Sequence, residues 1–326
     1  MRTQTTFSSS QQETTPKSFL RSSSGGLATQ RHLQLKTIAV LTDLGDDSDK
    51  LLRYAASLAQ WYGSKLIIAH MSPTDVYHYI SSQPFPAWPV GVLPLKEKAE
   101  KRIESLISKT GVEDVTTEVV INESSIGDLL RDLESRRPDL LILATHGREG
   151  IKKMLIGSIT EEVFRRVEWP VLVLGPHTRR EDTPPIRFRK VFCAIDLSAA
   201  SVSALRYAAA MAEDHEAQLI VLHVETGSIE GFSFDRVMAL QGLRDWVHSH
   251  VLAQGDVLRK AEYEIEFGQP ENEILKAAAE FRPDAIVIGA RGLGAAAGLA
   301  SHFVGGTAYE VATQSNCPVL IVPRSR

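Results

Sequence analysis

The chain has 326 residues, 43% of them hydrophobic, and a formal net charge of −4 at pH 7. That length suits about two domains of ordinary size. The negative balance offers no basic surface for nucleic acid, and no apolar run reaches the roughly 18 residues of a membrane-spanning helix. Cys193 and Cys317 form no metal or redox motif. We therefore expect a cytoplasmic protein without nucleic-acid or membrane partners and without a zinc site or redox motif.

The first 34 residues are rich in Ser, Thr and Gln and contain few large apolar side chains. Such a segment buries too little surface to offset the entropy that it would lose on ordering. The sequence therefore predicts a disordered tail over residues 1–34.

Five short apolar runs follow, separated by segments whose apolar residues recur at helical spacing. Continuous apolar character predicts strands covered on both faces, as in a parallel sheet between helix layers. This pattern indicates a β-α-β-α-β-α-β-α-β unit over residues 35–175. The predicted strands are Thr37–Leu41, Leu66–Ala69, Val115–Ile121, Leu140–Ala144 and Val171–Leu174.

A break follows the fifth run, where paired prolines and charged residues exclude both helix and sheet. We interpret residues 176–188 as a linker. Beyond it the sequence repeats itself, because residues 36–70 align without a gap with residues 189–223 at a constant offset of 153, which pairs Asp43 with Asp196. Residues 189–326 therefore form a second domain of the same kind.

The predicted architecture is two tandem doubly wound five-stranded parallel sheets with helices on both faces. We call residues 35–175 the first half and residues 189–326 the second half. In such sheets ligands collect beyond the carboxyl ends of the strands, where the strand order reverses. Asp43 and Asp196 end the first strand of each half and are candidate ligand contacts. The alternative is that each carboxylate caps a turn or helix.

A second candidate lies after the fourth strand of the first half. His146 and Gly147 are followed, nine residues on, by Gly157 and Ser158, which open a helix. Glycine lets backbone amides approach a phosphate, and a helix amino end favours anions. The alternative for Ser158 is a capping box with Glu161.

These residues resemble the universal stress protein family in its tandem form, over residues 36–324. The nucleotide-binding branch of that family has an aspartate after the first strand and Gly-x₂-Gly-x₉-Gly-(Ser/Thr) after the fourth. The resemblance implies an adenine nucleotide alpha hydrolase-like fold that binds ATP, with or without Mg²⁺. Asp43 and the second strand would contact adenine and ribose, while the phosphates would lie against Gly147, Gly157, Ser158 and, from its position in the loop, His146.

Both halves depart from the family pattern. Ala144 replaces the first glycine in the first half, and in the second half the later glycine pair comes three residues late. We therefore expect nucleotide mainly in the first half and a degenerate or differently shaped second site. The residues of that possible second site are Asp196, Gly289, Gly292, Gly305, Gly306 and Thr307.

The expected function is a stress-response or signalling protein that binds ATP with little or no turnover. The sequence offers no nucleophile paired with a base, no metal cluster and no loop of the rapid nucleoside triphosphatases. The alternatives are a ligand-free interaction scaffold and a slow nucleotide-hydrolysing enzyme. In this family the fifth strands commonly pair, which implies an intramolecular pseudo-dimer and leaves a further homo-oligomer open.

Overall fold

A computed structural model describes residues 33–45, 47–71, 95–111, 115–122, 124–145, 158–166, 168–178, 187–226, 236–251, 255–290 and 306–324. All but the last two residues of the predicted tail lie outside these ranges, as do residues 179–186 of the predicted linker. No helix in the described ranges is both long enough and apolar enough to cross a membrane.

Strands and helices alternate along the first half in the expected order. In sequence they are β1 (Thr37–Thr42), α1 (Ser48–Tyr62), β2 (Lys65–Met71), α2 (Leu95–Lys109), β3 (Thr117–Asn122), α3 (Ile126–Arg136), β4 (Leu140–Ala144), α4 (Ser158–Arg166) and β5 (Val171–Leu174).

The second half repeats this order with one additional short helix before its third strand. Its elements are β6 (Lys190–Ile195), α5 (Ala199–His215), β7 (Gln218–Glu225), α6 (Arg236–His250), α7 (Gly255–Lys260), β8 (Glu262–Phe267), α8 (Pro270–Phe281), β9 (Ala285–Gly289), α9 (Gly306–Gln314) and β10 (Val319–Val322).

All ten strands join one sheet in the order β3-β2-β1-β4-β5-β10-β9-β6-β7-β8. Neighbours within each half are parallel, and β5 and β10 meet antiparallel at the centre. The order within each half reverses at its first strand, since β1 lies between β2 and β4. The predicted doubly wound α/β class is confirmed, with the two sheets continuous rather than separate.

Two layers of helices cover the sheet. Alternate residues of each strand face opposite layers, so that Ile38 and Val40 of β1 face the layer that contains α1 and α5 while Ala39 and Leu41 face the layer that contains α3 and α8. The two cysteines are buried, and burial raises the pKa of the Cys193 thiol well above its usual value. Apolar strand residues are buried on both faces of the sheet, as the continuous apolar runs predict.

A repeated aspartate fixes where the first strand of each half begins. One oxygen of Asp139 accepts hydrogen bonds from the amides of Lys36 and Thr37, at 2.7 and 2.9 Å. Asp284 does the same for Arg189 and Lys190, at 2.6 and 2.9 Å. The Arg-Pro-Asp sequence that recurs before β4 and β9 is therefore a structural clamp.

Candidate functional site

The carboxyl ends of β1 and β4 mark the point where the strand order of the first half reverses. The two strands run side by side, with Leu41 opposite Leu143 as the last pair of the register, so Asp43 and Thr145 each lie two residues beyond it (43 − 41 and 145 − 143). The equivalent ends of β6 and β9 bring Asp196 and Ala290 to the second half's switch point. A crevice at such a point is where open α/β sheets bind ligands.

Asp43 is held in a tight turn between β1 and α1. Its Oδ1 accepts a hydrogen bond from the amide of Gly45 at 2.9 Å and lies 3.4 Å from the Ser48 hydroxyl. The Thr42 hydroxyl donates to Ser48 Oγ at 2.8 Å. Leu44 takes a left-handed conformation, with φ 60°. The turn fixes an exposed carboxylate at the edge of the sheet.

Asp196 makes the same turn in the second half. Its Oδ1 accepts from the amide of Ser198 at 3.1 Å and from the hydroxyl of Ser201 at 2.6 Å. Leu197 has φ 63°, the counterpart of Leu44. In both halves the aspartate therefore accepts the hydrogen bonds of a turn, which is the alternative to ligand binding given above. The turn holds the carboxylate at the switch point of its half.

The helix that follows the turn differs between the halves. Ser198 caps α5 by accepting a hydrogen bond from the amide of Ser201 at 3.3 Å. Its counterpart is Gly45, which has no side chain, and α1 begins two residues later than α5 relative to the repeat (48 + 153 = 201, against 199). Asp47, the residue before α1, makes no side-chain cap hydrogen bond.

The charges at the start of α1 suit the uncharged part of a nucleotide better than its phosphates. Asp43 and Asp47 both lie there, and Asp49 pairs with Arg53 at 3.0 Å. The Lys50 ammonium is directed to the carbonyl of Thr178, at 2.7 Å. Phosphates beside these carboxylates would be repelled, so this corner favours a sugar or base.

Two buried histidines, His70 and His223, lie near the carboxyl ends of the second strand of each half. His70 Nδ1 donates to the carbonyl of Thr42 at 2.8 Å, and His223 Nδ1 donates to that of Ile195 at 2.9 Å. Burial lowers the pKa of His70 below its usual value, against the opposing hydrogen bond and the nearby Asp43. These rings tie the first strand of each half to the second, which is a packed structural role.

Thr145 is a site residue that sequence reasoning missed. Its amide donates to the carbonyl of Leu174 at 3.0 Å, whereas its buried hydroxyl has no hydrogen-bond partner among the described residues. The second half has Ala290 at this place, with the same amide bond to Val322 at 2.8 Å. Among the described residues, the position after the fourth strand therefore carries an unpaired buried hydroxyl in the first half and alanine in the second.

The candidate phosphate loop of the first half is only partly described. His146, Gly147 and Gly157 lie outside the described residues, and Ser158 is described only as the first residue of α4. Their roles as phosphate contacts stay predictions.

Gly289, at the end of β9, has a clear packing role. A Cβ there would lie 3.1 Å from both the backbone carbon and the Cβ of Ala200, in the first turn of α5. In the first half the corresponding residues are Ala144 and Asp47, and Asp47 precedes α1. The later start of α1 explains how the first half accepts alanine where the second half has glycine.

The second phosphate loop differs in length from the first. From the end of β4 to the start of α4 there are 13 residues (157 − 144), against 16 (305 − 289) in the second half. The strands β5 and β10 each begin 13 residues after the start of the preceding helix (171 − 158 and 319 − 306). Gly306 therefore aligns with Ser158, and the half-buried Thr307 lies one residue later. Gly292 and Gly305 lie outside the described residues.

Metal binding finds no support in the described ranges. They contain no group of three or more His, Cys, Asp and Glu side chains that could hold a metal ion.

Comparison with known proteins identifies the family. The model of the universal stress protein family matches residues 34–175 and again residues 187–323. A universal stress protein of Mycolicibacterium smegmatis is 24% identical over 309 residues, covering 87% of this chain and 96% of that protein. YxiE, a universal stress protein of Bacillus subtilis, is 33% identical over 149 residues, covering 41% of this chain and 99% of that one.

The fold agrees with that result. The crystal structure of a universal stress protein from Archaeoglobus fulgidus has a TM-score of 0.65 at 22% identity, and the match covers 90% of this chain and 100% of that one. The chain belongs to the universal stress protein family and carries two family domains in tandem.

Proposed function

We propose that the protein is a cytoplasmic stress-response and signalling protein that binds an adenine nucleotide, ATP, mainly in its first half. One observation carries the proposal: Asp43 is an exposed carboxylate fixed by a tight turn at the switch point of the sheet. A carboxylate in that position is suited to accept hydrogen bonds from the two hydroxyls of a ribose.

The nucleotide would lie with its sugar and base beside Asp43 and its phosphates over the loop before α4. The carboxylates around α1 support this orientation, because they would repel phosphates. The backbone amides near Gly147 and Gly157 and the hydroxyl of Ser158 would hold the phosphates, with or without a bound Mg²⁺. His146 and the buried hydroxyl of Thr145 would provide further donors.

The second half is proposed to bind nucleotide weakly or not at all. Its loop is three residues longer (16 − 13), and Gly306 replaces the hydroxyl-bearing Ser158 at the start of the helix. Phosphate has to meet several amides at once, so a change in loop length displaces part of the set. This half favours the alternative function, a ligand-free surface for interaction with other proteins.

Hydrolysis of ATP is proposed to be slow or absent. The sequence has neither the loop motif of the rapid nucleoside triphosphatases nor a nucleophile paired with a base. Turnover measured by phosphate release should stay far below about 1 per second, the lower end for ordinary enzymes. A rate within the ordinary range would show that the protein is an enzyme.

The two halves are proposed to pair within one chain as a pseudo-dimer. The antiparallel contact of β5 with β10 supports this pairing, and a linker raises the effective concentration of each half for the other. Assembly of whole chains into larger oligomers is a separate question that light scattering answers.

The test of nucleotide binding compares two matched variants. Asp43→Asn and Asp196→Asn each keep an oxygen that can accept the turn hydrogen bond and remove only the charge. Asp43→Asn should weaken ATP binding, measured by calorimetry on the whole chain, by about 10- to 100-fold, the effect of losing hydrogen bonds to a charged group. Asp196→Asn should leave the affinity within about twofold, since its half contributes little.

Nucleotide released from the purified protein by denaturation provides an independent check. Mass spectrometry should identify an adenine nucleotide. If the unmodified protein neither carries nor binds one, it is a scaffold, and if only Asp196→Asn weakens binding, the site lies in the second half.

A further inference from the structure

The two halves meet around a two-fold relation. Leu172 in β5 lies opposite Leu320 in β10, and these two residues are counterparts in the repeat, because both strands follow the same helix at the same spacing. In a two-fold pair, a residue on the axis meets its own counterpart. The axis therefore passes between Leu172 and Leu320.

A second pair of counterparts meets in the helix layer above this point. Tyr62 ends α1 and His215 ends α5, 153 residues apart, and the Tyr62 hydroxyl lies 3.1 Å from His215 Nε2. His215 is only 1% exposed. The ring of Trp61 stacks on its imidazole at 4.7 Å and 12°, and Phe188 meets it edge-on at 4.7 Å. We call Trp61, Tyr62 and His215 the axial cluster.

The two strands at the axis have nearly the same sequence and do not distinguish the halves. Val171–Leu174 reads VLVL and Val319–Val322 reads VLIV, so any pairing of the halves would bury nearly the same side chains there. The axial cluster is different, because the counterparts of Trp61 and Tyr62 are Asp214 and His215. Any preference for one pairing over another has to come from such differences.

We propose that the axial cluster makes each half selective for the other half, so that the partner of this surface is the unlike half and pairs of like halves are rejected. The inference rests on the pairing of the halves proposed above and is independent of nucleotide binding.

Two first halves brought together in this way would lose the imidazole. Each Tyr62 would face a second Tyr62, and no His215 would hydrogen-bond to the phenol or stack on Trp61. The hydrogen bond and the ring stack of the mixed pair would both be missing.

Two second halves would bury polar groups without their partners. Each His215 would face a second His215, and Asp214 would stand where Trp61 stacks. In the mixed pair Asp214 instead accepts a hydrogen bond from the amide of Leu33, at 2.9 Å. Burying imidazoles and carboxylates without such partners is costly, so a pair of second halves should be less stable than the mixed pair.

The test uses the folded full-length chain with a specific protease site placed within residues 179–186. The cut protein is mixed with an isotope-labelled copy in urea just below the unfolding range, and native mass spectrometry then identifies the fragment pairs. Every pair should contain one first half and one second half. Random choice of partner would instead put about a quarter of the pairs in each like class, which would overturn the selectivity. Fragments that do not stay together at all would overturn the pairing itself.

Two tyrosine variants test whether the axial cluster is responsible for the selectivity. Tyr62→Phe removes only the hydroxyl that meets His215 and should speed the exchange of labelled halves about two- to tenfold, the effect of one hydrogen bond. Tyr54→Phe is the control, because the Tyr54 hydroxyl has no hydrogen-bond partner among the described residues. Equal exchange rates in the two variants would contradict the role of the cluster.

Discussion

Gly175, directly after β5, passes so close to α9 that a Cβ on it would lie 2.8 Å from the carbonyl oxygen of Ala312. The contact joins the end of the first half to a helix of the second. It lies beside Thr178, whose carbonyl accepts the hydrogen bond from Lys50. The start of the linker is therefore packed between a helix of each half.

We expect Gly175→Ala to destabilise the protein. The new methyl would meet backbone rather than a flexible side chain, and such overpacking typically costs about 1–3 kcal/mol. Gly242→Ala is the matched control, since nothing lies within 4 Å of a Cβ at that helical position. It should raise the free energy of unfolding by about 0.5–1 kcal/mol. Urea denaturation measures both, and equal effects of the two substitutions would contradict the close contact.

Much of this fold is predictable from the sequence because the apolar runs are continuous. Runs such as Leu140–Ala144 and Val171–Leu174 are strands with those bounds, as both faces of the sheet are covered. The spacing of apolar residues along the sequence cannot predict contacts between distant elements. The offset of 153 relates Tyr62 to His215, yet their contact depends on the two-fold arrangement of the halves. The sequence likewise repeats Asp139 as Asp284, but it does not show that both accept hydrogen bonds from the start of a first strand.

Glu118 holds an ion cluster at the edge strand β3. The carboxylate pairs with Lys65 and, at 2.8 Å, with Arg136. We expect Glu118→Gln to lower the free energy of unfolding by about 1–3 kcal/mol at pH 7, because two charged donors lose their partner. Glu134→Gln, an exposed glutamate on the adjacent helix, should change it by less than about 0.5 kcal/mol.

The effect of Glu118 should depend on pH. Burial acts to raise the pKa of this carboxyl, but the hydrogen bonds from Lys65 and Arg136 outweigh it and hold the pKa below its usual value. A lowered pKa in the folded state contributes stability above the unfolded-state value of about 4.3, and this contribution is lost as pH falls through the folded-state value. The difference between the natural protein and Glu118→Gln should therefore shrink below about pH 4. A constant difference from pH 7 to pH 3 would contradict the ion cluster.

Tyr54 and Tyr207 are counterparts in the two halves, and both carry buried hydroxyls without a hydrogen-bond partner among the described residues. Burial raises the pKa of each well above its usual range. Removing an unsatisfied buried hydroxyl avoids its desolvation penalty, so Tyr54→Phe and Tyr207→Phe should leave the stability unchanged or raise it by up to about 1–3 kcal/mol. A loss of more than about 1 kcal/mol in thermal or urea unfolding would reveal a hydrogen bond, for example to a buried water.

The candidate site is less predictable than the fold. Sequence reasoning placed Asp43 and Asp196 at the strand ends, where the structure has them, because parallel strands bring their carboxyl ends to one edge. It could not find the unpaired hydroxyl of Thr145, since burial depends on the neighbouring strands and helices. The register of the second loop comes from the spacing of α9 and β10, which aligns Gly306, rather than Thr307, with Ser158.

Calorimetric titration of ATP into two glycine variants of the whole chain tests directly whether the nucleotide binds in the first half. The nine residues between Gly147 and Gly157 reproduce the family spacing, whereas the second loop is longer. Gly157→Val should block close approach of the backbone to phosphate and abolish most binding, while Gly305→Val should leave the affinity nearly unchanged. Binding that depends on Gly157 and not on Gly305 would place the nucleotide in the first half. Loss of binding in Gly305→Val with full binding in Gly157→Val would contradict that placement.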